Sequence, residues 1–190
     1  PGAAMIGGLV EIMGMFLQAG WVDIGFLSGS QVDKFGNINT TVIGDYAQPK
    51  SRLPGSGGAN PIGSLAKKIL IIALHDTRRL IERVDFITTP GYIDGPGARE
   101  RWGLPADTGP EVIITNKAVM RFDKSTGEAY LESYHPDTSV EEVVKLTPWK
   151  LNVADDVHET EPPRVEEIRA LREILDPNRM IRIYEGRGYV

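Results

Sequence analysis

The sequence has no cysteine and only three histidines, His75, His135 and His158. A chain without cysteine has no disulfide, no thiolate metal ligand and no cysteine nucleophile. Three histidines so far apart along the chain do not suggest a histidine-rich metal centre. We therefore expect no bound metal ion, and we look for chemistry in carboxylates, amides and the backbone.

A basic excess and a long hydrophobic run are also missing. The 21 Lys and Arg residues are outnumbered by 26 Asp and Glu, giving a formal charge of −5, so no electrostatic footprint for nucleic acid or an anionic membrane is present. The apolar stretch 3–17 is interrupted by Glu11 and is shorter than the ~20 residues that cross a bilayer. It also lacks the basic region of a secretory signal. We expect a cytoplasmic protein.

The composition that is present is that of a globular protein. With 190 residues, 41 % of them hydrophobic and 25 % charged, the sequence predicts a single domain over 1–190. The 21 glycines and 13 prolines exceed the usual combined share of roughly 12 %, which predicts many turns and loops lined by backbone. Because the chain starts at Pro1 and enters an apolar helix at once, we expect that it lacks its natural amino-terminal segment.

Helices and apolar strands alternate through the first half of the chain. A core helix over 3–19 precedes a strand over 21–27, and Asn60 is predicted to cap a helix that runs to Lys68. The continuously apolar run 69–74 is typical of a central parallel strand. These elements predict an α/β fold with a mostly parallel open sheet and helices on both faces.

The remaining pattern predicts shorter elements and one β-hairpin. Strands over 118–123 and 129–134 are joined by the turn 124–127. Ser139 and Glu142 form a capping box for a short helix. The other predicted elements are a strand over 40–43, a polar loop over 44–56, a helical turn over 77–82, a strand over 84–88, a long loop over 89–110, a strand over 151–154, an amphipathic helix over 163–175 and an exposed, glycine-rich tail.

A glycine-rich segment before the second helix is the first candidate site. Its residues are Gly55, Ser56, Gly57, Gly58, Ala59 and Asn60. Glycines ahead of a helix let the backbone approach a ligand, and backbone N–H groups favour negative charge. The spacing matches neither a dinucleotide-binding fingerprint nor a phosphate-binding P-loop. A tight loop without catalytic importance is the alternative.

A second polar segment, Gly29–Asn39, follows the predicted strand 21–27. Open α/β sheets place their ligands at the carboxyl ends of strands. Gly29 and Ser30 begin this segment, and Gln31, Asn37 and Asn39 offer amide groups suited to a polar carbonyl. The alternative is turn chemistry, to which we assign Asp33 and Asn37.

Together the two segments resemble the B subunit of family I coenzyme A transferases, closest to the glutaconate CoA-transferase branch. The stretches that carry the resemblance are Val22–Asp33, Phe35–Thr41, Leu53–Ala59, Glu82–Tyr92, Pro96–Gly97 and Tyr134–Pro136. The resemblance implies an α/β fold shared with sugar-phosphate isomerase-like CoA transferases. It also implies pairing with an A-type CoA-transferase chain in a hetero-oligomer and an acyl-CoA substrate, with coenzyme A as substrate and no other cofactor.

The resemblance also implies roles for the two segments. Gly55–Gly58 would line the CoA thioester, and Gly29, Ser30 and Gln31 would lie across the pocket. A thioester carbonyl that develops negative charge needs preorganised amide donors, which a glycine loop brings close.

The nucleophile that the family uses has no counterpart in the sequence. Family members attack the thioester with a glutamate and pass through a glutamyl-CoA thioester. Glu11, Glu82 and Glu100 lack the context of that residue, so we expect the nucleophile outside these 190 residues. The alternatives are a ring-opening hydrolase of CoA thioesters with the same fold and a non-catalytic chain that completes the pocket of a heteromer.

Two further residue types keep a structural and a functional interpretation. His75 follows the strand 69–74, where we expect a hydrogen-bonded structural histidine rather than a catalytic one. The loop arginines Arg99 and Arg101, and likewise Arg78, Arg79 and Arg83, suit either CoA phosphates or surface salt bridges.

Overall fold

A computed structural model describes residue 3 and residues 5–178. The chain divides into two compact units, the first ending at Glu159 and the second beginning at Thr160. The first unit contains eleven strands among its described residues: β1 (Ile24–Leu27), β2 (Gln31–Asp33), β3 (Ile38–Asn39), β4 (Val42–Gly44), β5 (Pro49–Arg52), β6 (Lys68–Ala73), β7 (Leu80–Ile81), β8 (Pro110–Thr115), β9 (Ala118–Phe122), β10 (Ala129–Tyr134) and β11 (Asn152–Glu159).

The helices of the first unit are short. An amino-terminal helix with π-type hydrogen bonding covers Val10–Leu17, and it is followed by α1 (Ala59–Leu65), α2 (Ala98–Arg101) and α3 (Val140–Leu146). The second unit has α4 (Val165–Arg169), which continues into a π-helical turn over Ala170–Leu175. The predicted glycine-rich tail lies largely in 179–190, outside the described residues.

A six-stranded mixed sheet in the order β1-β6-β8-β9-β10-β11 forms the framework of the first unit. β1, β6 and β8 run parallel, so the apolar strand predicted over 69–74 is confirmed as a central parallel strand. β9 pairs antiparallel with both β8 and β10, which confirms the predicted hairpin. The α/β fold with a mostly parallel sheet is therefore as predicted.

The two faces of β6 differ in burial. Ile69, Ile71 and Ala73 are buried in the core, on the side of the sheet that α1 covers. A Cβ added at Gly25 of β1 would lie 2.5 Å from Ile62 of α1, so glycine permits this close packing. On the other side, in the described part of the chain, Ile72 remains 50 % exposed.

The exposed side of the sheet continues onto the edge strand β1. Ile24 is 49 % and Phe26 64 % exposed, and the register places Phe26 beside Leu70 of β6. Parallel sheets are normally covered on both faces. This apolar face is therefore a surface that the described residues leave open.

The amino-terminal helix is shorter and more exposed than predicted. The predicted core helix covers 3–19, but the observed helix spans Val10–Leu17, and Leu17 is its one buried residue. Leu17 and the partly buried Met13 join the core, whereas Leu9, Val10 and Met15 are exposed. The prediction of a core helix is wrong because the described chain covers one side of it only.

Three predictions in the middle of the first unit are also wrong, wholly or in part. The run 84–88 forms no regular strand, because long-range contacts from 31–38 bind its backbone N–H groups. In the predicted helical turn 77–82, residues 77–79 form a turn in which the N–H groups of Arg79 and Leu80 donate to the Asp76 carbonyl, but Leu80–Ile81 is β7 and pairs parallel with β2. The predicted polar loop 44–56 contains β5, which forms a hairpin with β4.

The carboxyl-terminal part of the first unit follows the sequence pattern more closely. Ser139 caps α3 and its hydroxyl accepts a hydrogen bond from the Glu142 N–H, although the Glu142 carboxylate contacts Lys117 instead of returning to Ser139. β11 extends the predicted strand 151–154 to Glu159 and pairs parallel with β10. Among the described residues, no helix combines the length and hydropathy needed to cross a membrane.

Candidate functional site

A backbone ladder brings the two predicted segments together. The Ser30 N–H donates to the Asn39 carbonyl at 3.0 Å, and the Gly55 N–H donates to the Thr40 carbonyl at 2.8 Å. Leu53 continues the ladder by donating to Thr41 at 2.9 Å. The segments 29–31 and 53–55 therefore both pair with residues 39–41. The first segment follows β1 and the second precedes α1.

The glycine loop Gly55–Gly58 leaves its backbone open. Gly55 has φ +94° and Gly57 φ +48°, and an added Cβ at either would meet no atom within 4 Å. Among the described residues, the N–H groups of Ser56, Gly57 and Gly58 form no hydrogen bond. Three consecutive free donors in a loop with left-handed backbone form a surface that a carbonyl oxygen or an anion can use.

Asn60 does not cap α1 as predicted. The helix begins at Ala59 with Gly58 in the N-cap position, and it ends at Leu65, before the lysines that were expected in its last turn. The Asn60 Nδ2 donates instead to the Thr88 carbonyl at 2.8 Å. The capping prediction is wrong because a carbonyl 28 residues away takes the side chain, which ties α1 to the 84–88 segment.

Thr88 connects α1 to the ladder. Its hydroxyl accepts a hydrogen bond from the Thr40 N–H at 2.9 Å and shares another with the Thr41 hydroxyl at 2.7 Å. The residue is buried. Thr88 thereby positions Thr40 and Thr41, which pair with the start of the glycine loop; sequence reasoning missed this role because the residue stood in a predicted strand.

The side chain of Gln31 is held within the chain. Its Nε2 donates to Asp85 Oδ2 at 3.0 Å, and its Oε1 accepts from Asn39 Nδ2 at 2.6 Å and from the Asp85 N–H at 3.2 Å. Asn39 is committed in the same way, since its Oδ1 accepts from Thr41 N–H. The amides that were expected to face a ligand carbonyl are thus used by the fold, and a substrate contact of Gln31 stays a prediction.

Gly29 and Ser30 lie beside the ladder, and each has a different role there. A Cβ at Gly29 would collide with Ile38 Cγ2, so only glycine allows β1 to turn this close to β3. Ser30 is half-buried, and no hydrogen bond of its side chain occurs in the described part of the chain. The Ser30 hydroxyl is therefore available on this side of the site.

Asp33 and Asn37 form a buried turn that is hydrogen-bonded to the 84–88 segment. Asp33 Oδ1 accepts from the N–H groups of Phe35 and Asn37, and Oδ2 accepts from Asn37 Nδ2 and the Val84 N–H. Burial raises the pKa of Asp33 despite these donors. Asn37 Oδ1 accepts from the Gly91 N–H at 2.8 Å, so the turn also anchors the loop 89–110.

His75 is a buried structural histidine. Its Nδ1 lies 3.0 Å from the Thr115 hydroxyl and its Nε2 lies 3.1 Å from the Thr147 hydroxyl. Thr147 donates to the Val143 carbonyl, so its oxygen can accept from a neutral His75 Nε2–H. The Thr115 hydroxyl accepts two backbone N–H groups, and its one proton is shared between the Ala118 carbonyl and His75 Nδ1. Burial lowers the pKa of His75 to about 4.

Arg99 is buried and is held by oxygen atoms of three segments. Its guanidinium donates to Gly91 O at 3.0 Å, Ser64 O at 3.2 Å and Thr108 Oγ1 at 2.6 Å, with longer bonds to two more carbonyls. Burial lowers its pKa. Arg99 therefore joins α1 to two parts of the loop 89–110, whereas Arg101 forms a surface ion pair with Asp94 at 3.0 Å.

One cavity lies away from the glycine loop. It measures about 510 Å³ and opens at the amino end of β6, among Lys68, Tyr92, Arg99, Gly109 and Lys124. Ligands of open α/β sheets bind at the carboxyl ends of the strands, which is where the glycine loop lies. The glycine loop, and not this cavity, is therefore the candidate site.

No carboxylate is hydrogen-bonded to the glycine loop in the described part of the chain. Glu11, Glu82 and Glu100 are exposed, and Glu82 lies 4.0 Å from Lys34. The described residues also contain no group of three or more side chains that could hold a metal ion.

Comparison with known proteins gives one family match and several relatives. Residues 1–146 match the family described as coenzyme A transferase. The chain is 45 % identical to the B subunit of glutaconate CoA-transferase from Acidaminococcus fermentans over 81 % of its own length and 57 % of the relative's. It is 44 % identical to the B subunit of 3-oxoadipate CoA-transferase from Pseudomonas knackmussii over 85 % and 62 %.

A more distant relative and a solved structure complete the comparison. The cholesterol ring-cleaving hydrolase IpdB subunit of Rhodococcus jostii is 26 % identical over 80 % of the chain and 58 % of the relative. The crystal structure of glutaconate coenzyme A-transferase from A. fermentans superposes with a TM-score of 0.84 and 39 % identity, covering 94 % of this chain and 69 % of that one.

The family match covers more than half of the chain and agrees with the fold. The chain spans about three fifths of the length of the curated relatives it matches. The chain belongs to the coenzyme A transferase family.

Proposed function

We propose that the chain is the B subunit of a heteromeric CoA transferase that moves coenzyme A between an acyl-CoA and a carboxylic acid. The observation that carries this proposal is the open glycine loop, whose three N–H groups have no acceptor among the described residues, in a chain 44–45 % identical to two CoA-transferase B subunits. Those relatives act on glutaconate and 3-oxoadipate by name, and the acyl group used here follows from neither.

The loop suits the charge that CoA transfer creates. A glutamate carboxylate attacks the thioester carbonyl carbon, and the carbonyl oxygen becomes negative. The carbon–sulfur bond then breaks, CoA departs as a thiolate, and an acyl-glutamyl anhydride remains on the enzyme. The thiolate then attacks the glutamyl carbonyl, which releases the carboxylate of the first acid and leaves a glutamyl-CoA thioester. The N–H groups of residues 56–58 would stabilise the oxyanion by hydrogen bonds that are already in place. We assign the glutamate to a position outside these 190 residues.

The open apolar face supports assembly with a partner. Ile24, Phe26 and Ile72 expose large apolar surface on one side of the sheet. Contiguous apolar surface of this kind marks an interface. We propose that an A-type CoA-transferase chain completes the complex, and sizing chromatography with mass analysis of natively purified protein should show a complex well above 20.9 kDa. A stable monomer at that mass would contradict the proposal.

An isotope-exchange experiment on the natively purified complex tests the reaction. Incubation with acyl-CoA and a ¹⁴C-labelled carboxylic acid should give labelled acyl-CoA, and omission of the acid should stop turnover. Borohydride added with acyl-CoA alone should inactivate the complex by reducing a glutamyl-CoA thioester, which peptide mass spectrometry would find outside residues 1–190.

The same experiment also tests a second candidate function, hydrolysis of a CoA thioester. The 26 % identity to the ring-cleaving hydrolase favours this candidate. A hydrolase would release free acid steadily with water as acceptor. It would do so without the labelled carboxylic acid and would leave no borohydride-sensitive adduct. That result would replace transfer by hydrolysis as the function, and an adduct on a glutamate of this chain would overturn our placement of the nucleophile.

A further inference from the structure

The cavity at the amino end of β6 lies apart from the glycine loop and has no part in the proposed reaction. It measures about 510 Å³, and its walls come from the loop 89–110, the amino ends of β6 and β8, and the β9–β10 turn. This volume suits a small organic molecule. The charged side chains that line it are four basic and three acidic ones: Lys67, Lys68, Arg99, Lys124, Glu100, Asp107 and Glu111.

The deeply buried charge among them is the Arg99 guanidinium, because Arg99 is 2 % exposed. Its Nη1 and Nη2 atoms donate to four carbonyl oxygens and to the Thr108 hydroxyl, all of which are uncharged. Within the described part of the chain, no carboxylate is hydrogen-bonded to it, and the Glu100 carboxylate that attracts it is exposed. Buried charges are normally paired. Arg99 therefore leaves a positive charge in the cavity wall that is only partly balanced.

One N–H group of this guanidinium also lacks an acceptor. The Arg99 Nε is buried and forms no hydrogen bond with the described residues, whereas buried N–H groups nearly always have a partner. A Cβ added at Gly109 would lie 3.4 Å from Nε and 3.4 Å from Tyr92 Cε1, so the glycine keeps a space beside the guanidinium. The side of Arg99 that faces Gly109 therefore has room and a charge that favours an anion.

The wall beside Arg99 is held in a strained conformation. Ile93 has φ +62°, which a β-branched residue rarely adopts. Asn37 holds it there, since its Oδ1 accepts from the Ile93 N–H at 3.1 Å and its Nδ2 donates to the Ile93 carbonyl at 2.8 Å. The Tyr92 hydroxyl donates to the Pro110 carbonyl at 3.0 Å. Strained backbone that several contacts fix is typical of functional sites, and here it fixes the shape of the cavity.

Lys124 is the basic side chain at the cavity that is free to meet a ligand. Lys67 and Lys68 are each in an ion pair with a carboxylate, whereas Lys124 is exposed and forms no ion pair within the part of the chain that the structure describes. Glu100 and Asp107 are exposed as well, so solvent screens their charges more than that of the buried guanidinium. The electrostatic balance of the cavity therefore favours a negatively charged ligand.

We propose that this cavity binds a small dianion, whose charges are carboxylate or phosphate groups, at a second ligand site separate from the glycine loop. The negative charge lies between the wall that contains Arg99 and the Lys124 ammonium group, which donates to it directly. Because the Arg99 Nε is itself buried, the guanidinium attracts the ligand through its charge and not through a bond to this atom. The site does not depend on the reaction at the glycine loop.

Calorimetric titrations of the natively purified full chain with succinate and, separately, with inorganic phosphate test the proposal. One or both probes should bind, and the probe that binds more tightly identifies the carboxylate or the phosphate as the preferred group. Lys124→Gln should raise its Kd about fivefold by removing one charged donor. Ala106→Trp places a large side chain on the cavity wall and should raise Kd about tenfold or more. Lys150→Gln, at an exposed lysine away from the cavity, is the matched control and should leave Kd unchanged.

Hydrogen–deuterium exchange locates the bound probe, because the glycine loop also has N–H groups that attract anions. At a saturating concentration of the probe, exchange should slow in peptides covering 92–110, whether or not peptides covering 53–60 change. Protection confined to 53–60 would place the anion at the glycine loop and overturn the proposal.

Three calorimetric results would also overturn it. They are the absence of binding by both probes, an unchanged Kd in either Lys124→Gln or Ala106→Trp, and an equal loss of affinity in Lys150→Gln. Circular dichroism checks that each variant is folded. If Ala106→Trp is unfolded, Lys124→Glu decides in its place, and it must weaken binding more than Lys124→Gln because it adds a negative charge at the same position.

Discussion

The glycine loop 55–58 and the buried polar cluster around Asp33 differ in what they do with their hydrogen-bonding groups. The cluster, formed by Gln31, Asp33, Asn37 and Asn39, uses its amide and carboxylate groups to fasten segments of the chain to one another. The loop leaves three backbone N–H groups without a partner among the described residues. Polar side chains near a strand end are thus no guide to ligand contact until their partners are known.

The largest effect is expected from Gly57→Val in the loop. A Val side chain at φ +48° strains the backbone and displaces the neighbouring N–H donors, although the space around it is open. Transfer activity of the assembled complex should fall about 100-fold or more, with the circular dichroism spectrum retained. Gly103→Val is the matched control for backbone strain, since Gly103 has φ +74° with no atom within 4 Å of an added Cβ and lies outside the loop; it should leave activity near normal. Near-normal activity of Gly57→Val would make the loop a turn without a catalytic role.

A substitution in the buried polar cluster should lower the stability of the fold. Asp33→Asn replaces an acceptor of four N–H groups with a side chain whose own NH₂ faces donors. We expect about 3 kcal/mol of unfolding free energy to be lost, as denaturant titration would measure. Asp45→Asn changes an exposed aspartate that also accepts two backbone N–H groups and should cost under about 1 kcal/mol. Equal losses for both variants would contradict the role of burial in the cluster.

The lowered pKa of His75 makes the free energy of unfolding depend on pH, with a smaller effect than the Asp33 substitution. The His75 pKa is about 4 in the folded chain and 6.5 when unperturbed, so below pH 6.5 the unfolded state binds the proton more readily. Stability therefore falls as pH decreases, by about 2 kcal/mol between pH 7 and pH 5. Denaturant titrations of the protein and of His75→Gln at both pH values isolate this contribution. A variant with the same pH dependence as the unmodified protein would show that His75 is not the group responsible.

Asn60 gives the smallest expected effect and separates two interpretations of the site. If Asn60 donates to the Thr88 carbonyl, Asn60→Ala should cost about 1 kcal/mol, and Asn60→Asp should cost more because a carboxylate would face that carbonyl. If Asn60 capped α1, Asn60→Asp would be neutral. Thermal unfolding of the two variants distinguishes the outcomes.

The elements that sequence predicted well are those with local causes. β6 is a continuous apolar run, and the β9–β10 hairpin has its turn residues between two alternating strands. The β4–β5 hairpin was missed because 44–56 is polar and contains Pro49 near its turn, which masks the pairing. The alternation of apolar and polar residues cannot predict β5, because β5 forms only when the turn 45–48 brings it against β4.

The site shows the same limit at the level of side chains. Both segments were predicted to lie near a pocket, and the ladder through Thr40 brings them together. Asn60 and the 84–88 run were misinterpreted because their partners lie 28 and about 50 residues away along the chain. Thr88 and Arg99 act through contacts of the same long range, so their spacing in sequence carries no signal of their roles.

Hydrogen–deuterium exchange of the assembled complex tests the central comparison most directly. A non-reactive acyl-CoA analogue, in which a methylene group replaces the thioester sulfur, is added at saturation, and exchange is followed by mass spectrometry in peptides covering 53–60 and 31–39. We predict that the analogue slows exchange in 53–60, where N–H groups gain a partner, and leaves 31–39 unchanged, since those groups are already bonded. Unchanged exchange in 53–60 at saturating analogue would contradict the assignment of the glycine loop to the thioester.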